Sequence, residues 1–164
     1  MRKGKIQKHI NDLGHLDTWK RISAAHALAE VGQVAVPALI DALKGENEDV
    51  RIRATYVLED IGPDAKAAVP ALTIEALKDE NEYIREAAAG ALGEIDAEAA
   101  VLAFIEALKD KHGEVRCNAA WALGEIGPDA KGAVPALTEA LKDKDKYWAV
   151  RDIAAEALKR IKEK

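Results

Sequence analysis

The chain has 164 residues, enough for one domain with a core of its own or for a short array of repeats. Charged residues make up 32% of it and the net charge is −5, which disfavours nucleic acid as a partner because phosphate recognition needs a positive surface. No apolar run approaches the roughly 18 residues of a membrane span, and a single cysteine, Cys117, fits a reducing, cytoplasmic setting without an internal disulfide.

The start, MRKGKIQKHINDLG, is basic but lacks the apolar stretch of a signal peptide. Ile6, Ile10 and Leu13 lie at helical spacing and predict a cap helix within residues 1–18. KRISAAHALAEVG (20–32) then opens a motif that returns as VRIRATYVLEDIG (50–62), IREAAAGALGEID (84–96), VRCNAAWALGEIG (115–127) and VRDIAAEALKRIK (150–162). Its arginines, Arg21, Arg51, Arg85, Arg116 and Arg151, are 30, 34, 31 and 35 residues apart. A second motif alternates with it: VPALIDALK (36–44), VPALTIEALK (69–78), VLAFIEALK (101–109) and VPALTEALK (134–142). Both are rich in Ala and Leu with apolar residues at helical spacing, so both predict helices, A (with the arginine) and B (with VPAL).

Punctuation agrees with this division. Gly32, Gly62 and Gly127 stand where A helices should end, and Pro63 and Pro128 follow two of them. PDAKA and PDAKG predict a turn or short 3₁₀ entry that lets Pro37, Pro70 and Pro135 sit at the start of a B helix. Residues 19–145 then form four A/B pairs, and 146–164 a C-terminal cap helix. One pair cannot bury its own apolar face, so neighbours must stack; the expected fold is an all-α solenoid of about ten helices in a single domain. VPALTIEALK has one residue more than VPALTEALK, which predicts a π-bulge near Thr73–Ile74 to keep Leu77 in register.

The paired pattern VRxxAAxALGEIG and GPDAKxAVPALxEALKD resembles the short HEAT-like repeat named after phycobilin lyases, from about residue 5 to 162. Leu102 in place of proline, Asp96 in place of glycine and a short first A–B turn depart from it. The resemblance implies stacked helical hairpins, a binding scaffold, and arginine–aspartate ladders between repeats, here Arg21, Arg51, Arg85, Arg116 and Arg151 with Asp79, Asp110 and Asp143. It also implies that the outer face of the A helices contacts partners.

Numbering each A helix from its arginine as zero, with roughly 100° per residue, gathers positions −1, +3, +6, +7 and +10 on one side. Those columns repeat and predict the core. Positions −2, +1, +5 and +9 fall opposite, and there the sequence stops repeating. Trp19 and Tyr83 stand at −2, His26, Tyr56 and Trp121 at +5, Ile52, Glu86 and Cys117 at +1, and Trp148 and Tyr147 just ahead of the last A helix. All three Trp and all three Tyr therefore sit in or beside non-repeating columns, whereas Phe104 shares a core column with Leu39, Leu72 and Leu137. The expected binding surface is Trp19, His26, Ile52, Tyr56, Tyr83, Glu86, Trp121, Glu125 and Trp148; packing on neighbouring helices is the competing reading for the aromatics.

Position +9 holds Glu30, Asp60, Glu94 and Glu125 and ends in Arg160. It reads either as a rim for a basic partner or as an ordinary solvated edge. Catalysis finds little support: the four histidines share no ligand spacing, Ser23 has no adjacent base, and Cys117 has no basic context to lower its pKa. The His-Glu pairs that hold iron in HEAT-like deoxyhypusine hydroxylases are absent. The expectation is a non-catalytic scaffold, with no metal and no cofactor, that binds a protein or peptide. A bilin lyase-like subunit handling a tetrapyrrole, and a spacer without a specific partner, stay open.

Overall fold

In the computed structural model, which describes residues 3–144 and 149–163, the helices fall where the two motifs predict. They are α1 (Lys3–Asp12), α2 (Thr18–Val31), α3 (Val36–Ala42), α4 (Glu48–Ile61), α5 (Val69–Ala71), α6 (Glu82–Ile95), α7 (Ala97–Ala107), α8 (Gly113–Ile126), α9 (Val134–Ala140) and α10 (Val150–Lys162). Helices α2, α4, α6, α8 and α10 carry the arginine; α3, α5, α7 and α9 carry VPAL or its variant. No strand occurs among the described residues. The ten segments form only seven continuous helical runs there, because three A helices pass through 3₁₀ turns (Gly32–Ala35, Gly62–Ala68, Gly127–Ala133) straight into the following B helix. The chain expected as one domain divides into two compact units, Met1–Asp96 and Ala97–Lys164. The 146 boundary of the C-terminal cap lies outside the described residues.

Glycine makes the 3₁₀ entry feasible. Gly32, Gly62 and Gly127 take φ of 55, 63 and 67° with ψ near −135°, a region that is essentially glycine-only. Asp96 replaces the glycine in the third repeat and is extended instead (φ −162°), so α7 starts directly after it without a 3₁₀ turn.

The apolar content of the first pair corrects the expectation about membrane spans. Thr18–Ala42, 25 residues, is long and apolar enough to cross a membrane by length and composition; Glu30 is diluted by its alanines. Its helical path breaks at Gly32 (φ 55°, ψ −132°). Helix α2 alone, with 14 residues, spans about 21 Å at 1.5 Å per residue, short of a hydrocarbon core of about 30 Å.

Core positions are those of the repeating columns. Ala24 and Leu28, then Ala54, Val57 and Leu58, then Ile84, Ala88, Leu92 and Ile95 are buried in the first unit; Val115, Ala119, Leu123, Phe104, Leu137, Ala154 and Ile161 are buried in the second. The extra residue of VPALTIEALK is absorbed as expected. Leu72–Ala76 is π-helical, and the Leu77 amide donates to the Leu72 carbonyl, five residues back, at 2.9 Å. Leu72 and Leu77 both stay buried while Ile74 is pushed out to solvent.

The arginine column fastens the turns. Arg51 Nε and Nη2 donate to the two carboxylate oxygens of Asp79 at 2.6 and 3.1 Å, and its Nη1 donates to the carbonyls of Gly45 and Glu46. Arg116 repeats the arrangement with Asp143 (2.6 and 3.0 Å) and the carbonyls of Asp110 and Lys111. Each guanidinium thus joins the turn before its own helix to the turn after the next B helix. Buried Arg85 donates to the carbonyls of Asp79 and Glu80, and Arg21 to those of His15 and Leu16 and to Thr18 Oγ1. Arg151 is exposed, and the turn before it lies outside the described residues.

Two outcomes follow. Arg116→Ala should lower unfolding free energy in urea by about 1–3 kcal/mol, since it removes the bidentate donor to the mostly buried Asp143 carboxylate and the bonds to two turn carbonyls. Arg116→Lys should recover less than half of that, because an ammonium cannot make the fork; a fully stable lysine variant would argue against the bidentate geometry. Deleting Ile74 should give an ordinary α-helix in register and leave the melting temperature unchanged or higher. A fall of more than about 5 °C, roughly 1–2 kcal/mol at this chain length, would contradict it.

Candidate functional site

The non-repeating columns face solvent in both units. Trp19, Tyr56, Tyr83 and Trp121 are 79, 47, 60 and 45% exposed. His26 and Glu86 are exposed and Ile52 is half-buried. Trp148, with Tyr147, lies outside the described residues.

In the first unit Trp19 heads α2, whose N-terminus is capped by Asp17 accepting from the Trp19 amide at 2.8 Å. Its ring belongs to a cleft of about 370 Å³ toward α1, lined also by Lys8, His9, Asp12, Lys20 and Ser23. Tyr83 holds the corresponding place on α6, where Asn81 accepts from its amide at 2.7 Å. His26 faces Glu30 one turn on, at 3.6 Å.

Helices α4 and α6 build the more distinctive surface. Ile52, Tyr56 and Asp60 line one stripe of α4, and Glu86, Gly90 and Glu94 the matching stripe of α6. A Cβ at Gly90 would stand 3.1 Å from Glu59 Oε1, so the Glu59 carboxylate lies against the bare backbone of α6. Burial, reinforced by the facing Asp60 and Glu94, pushes the Glu59 carboxyl above its ordinary value. The side chains of Glu59, Asp60, Glu86 and Glu94 make no hydrogen bond or ion pair among the described residues. Sequence reasoning placed Asp60 and Glu94 in the acidic row and missed Glu59. Its column, +8, reads Ala29, Glu59, Gly93, Gly124 and Lys159; that failure to repeat is the signal that could have found it.

In the second unit the glycine of that column decides the geometry. A Cβ on Gly124 would stand 3.1 Å from Ala157 Cα, so α8 and α10 approach to backbone contact there. Trp121, nearly one turn before it, edges a small cleft of about 80 Å³ with Ile153, Glu156 and Arg160. Trp121, a bulky residue in an alanine-rich helix, is therefore neither core nor fully solvated: at 45% exposed it lines the edge of this cleft. Arg160 pairs with Glu125 and lies 3.6 Å from Glu156, so Glu125 has an arginine partner where Asp60 and Glu94 of its row have none among the described residues. Cys117, expected as an exposed thiol, is half-buried, and burial raises its pKa. A further apolar cleft of about 470 Å³, lined by Val101, Leu102 and Ile105 with Glu98 and Asp129, opens where leucine replaces the B-helix proline; no reading of the columns anticipated it.

With these surfaces defined, the relatives can be compared. HEAT repeats match residues 69–159. The chain belongs to the HEAT repeat family. The PBS lyase HEAT-like repeat matches residues 20–45, within the first A/B pair. No curated protein matches by sequence. Among solved structures, the chain is similar to one from the complex of CpcE and CpcF of phycocyanin lyase from Nostoc sp. PCC7120, with 25% identity over 95% of this chain and 99% of that one and a TM-score of 0.66. Human deoxyhypusine hydroxylase in complex with glycerol is 30% identical over 77% of this chain but 43% of its own, with a TM-score of 0.61. A designed armadillo repeat protein in complex with peptide (KR)4, 20% identical over 96% of this chain and 82% of its own (TM-score 0.52), shares the fold alone.

The unpaired Glu59 carboxylate has a measurable consequence. With its proton held more tightly in the folded chain than in the unfolded one, its contribution to stability is favourable at low pH and is lost as pH rises through the raised folded value. Glu59→Gln should therefore melt a few degrees above the parent near pH 7, with the difference vanishing below about pH 4, the ordinary glutamate range. A lower melting temperature at pH 7 would show that the carboxylate has a cationic partner after all.

Proposed function

We propose that this HEAT repeat chain is a non-catalytic, cytoplasmic scaffold that binds a protein or peptide through the solvent face of its arginine-bearing helices. The observation that carries the reading is the separation of columns. Most residues of the repeating columns are buried or bonded in the ladder; residues that do not repeat include Trp19 and Tyr83, largely exposed, and Tyr56 and Trp121, exposed over nearly half their surface. Exposed aromatic side chains on a surface that packing does not require carry an aggregation liability, and each offers roughly 150–250 Å² of contact with little rotamer entropy to lose. The structural likeness to a chain from the complex of CpcE and CpcF supports the same reading. Net acidity and the break at Gly32 disfavour nucleic acid and a membrane span.

A second reading rests on the likeness to the phycocyanin lyase complex, which extends over nearly the full length of both chains. On that reading the chain is a bilin lyase-like subunit and the aromatics cradle a tetrapyrrole. Mixing with a free bilin separates the two: a protein-dependent change in visible absorbance supports the lyase-like role, and its absence the plain scaffold.

The direct test is a displayed random-peptide library panned against the full chain. Enriched peptides should bind the parent and weaken by about tenfold or more on the Tyr56→Ala/Trp121→Ala double variant, one lost aromatic anchor being worth about 2 kcal/mol when desolvated. The variant should melt close to the parent, because neither residue is in the core. Peptides that bind both proteins equally would move the binding surface elsewhere, and an unfolded double variant would make the aromatics packing residues.

A further inference from the structure

Helices α4 and α6 present an unpartnered face whose charge specifies what covers it. We propose that this face binds an extended lysine- or arginine-rich peptide segment, a partner class that rests on the scaffold reading above. The half-exposed ring of Tyr56 stands at +5 on α4, and Gly90 holds the same position on α6 with no side chain. The difference leaves the α6 backbone bare at that position. Glu59 reaches over it, its Oε1 3.1 Å from where a Gly90 Cβ would be. Glu86 lies about one turn before Gly90 and Glu94 about one turn after it, with Asp60 on the facing helix.

Four carboxylates on one face, none of them paired among the described residues, repel one another, and the partial burial of Glu59 strengthens that repulsion by lowering the local dielectric. An acidic occupant would worsen it, and a neutral one would desolvate the carboxylates without compensation. An ammonium or guanidinium offsets the charge, its stem lies on Ile52 and the Tyr56 ring, and the ring face adds a cation–π attraction. Peptide rather than free cation is the occupant because the face continues along both helices, with exposed Tyr83 at one end of α6 and Glu94 toward the other.

Fluorescence anisotropy tests this with the full chain and two labelled dodecapeptides, one alternating Lys with Ala and one with Glu in place of each Lys. The Lys peptide should bind and the Glu peptide should not. Glu59→Gln/Glu94→Gln should weaken binding by about tenfold, whereas Glu106→Gln/Glu139→Gln, the same change of net charge on B-helix surfaces, should cost less than about twofold. Tyr56→Ala should cost about fivefold, with circular dichroism confirming that each variant stays helical. Equal losses for the two double variants would reduce the effect to general attraction by an acidic protein and overturn the site. If the Lys peptide fails to bind while the random library still returns Tyr56-dependent binders, the scaffold reading stands and this partner class falls. If neither binds, both fall.

Discussion

One guanidinium held by two successive turns is the interaction on which this fold depends. Helices of 3 to 14 residues, most of them carrying several alanines, bury little apolar area each and would be marginal alone. Their packing has a single register only if the turns are fixed. The planar fork of Arg51 does this by gripping Asp79 with Nε and Nη2 while Nη1 reaches the carbonyls of Gly45 and Glu46. Asp79 is organised in turn, its Oδ1 also accepting from the Asn81 amide at 2.9 Å, and Asn81 caps the next A helix. Turn, clasp and cap are one hydrogen-bonded unit, and Arg116 with Asp143 repeats its core.

This division of labour leaves one face of each A helix without structural duties. The core columns must repeat because the neighbours they pack against repeat, and the arginine column must repeat because the turns do. Positions +1, +5 and +9 answer to neither demand, and their residues range from Gly90 to Trp121. The proposed binding surface occupies that freed face, where Tyr56 and Glu94 can change without disturbing the register that holds them in place.

Much of this was legible in the sequence, and the reasons for the gaps are physical. Column periodicity revealed the hairpins and the outward aromatics because each follows from spacing along one helix, whereas the arginine–aspartate ladder was implied by the resemblance to HEAT-like repeats. The π-segment at Leu72–Ala76 followed from counting residues between two fixed leucines. Distances between helices do not follow from such counting. Whether Gly90 and Gly124 mark close approaches depends on what the next helix offers, Glu59 in one case and the Ala157 backbone in the other. The half-burial of Cys117 and the neutralisation of Glu125 by Arg160 have the same origin in a neighbour that spacing cannot rank. The helix count differed because the 3₁₀ turns join A and B helices without an intervening loop, and the membrane-length run of Thr18–Ala42 went unseen because its glycine and glutamate looked like ends of apolar runs.

A double-mutant cycle on Arg51 and Asp79, read by urea unfolding of the parent, Arg51→Ala, Asp79→Ala and the pair together, tests the central interaction most directly. If the fork fixes the turns, the two changes are strongly non-additive, with a coupling of about 1.5–3 kcal/mol for a mostly buried bidentate pair. A coupling below about 0.5 kcal/mol, the scatter expected of independent sites, would mean that alanine packing alone sets the register and would contradict the account.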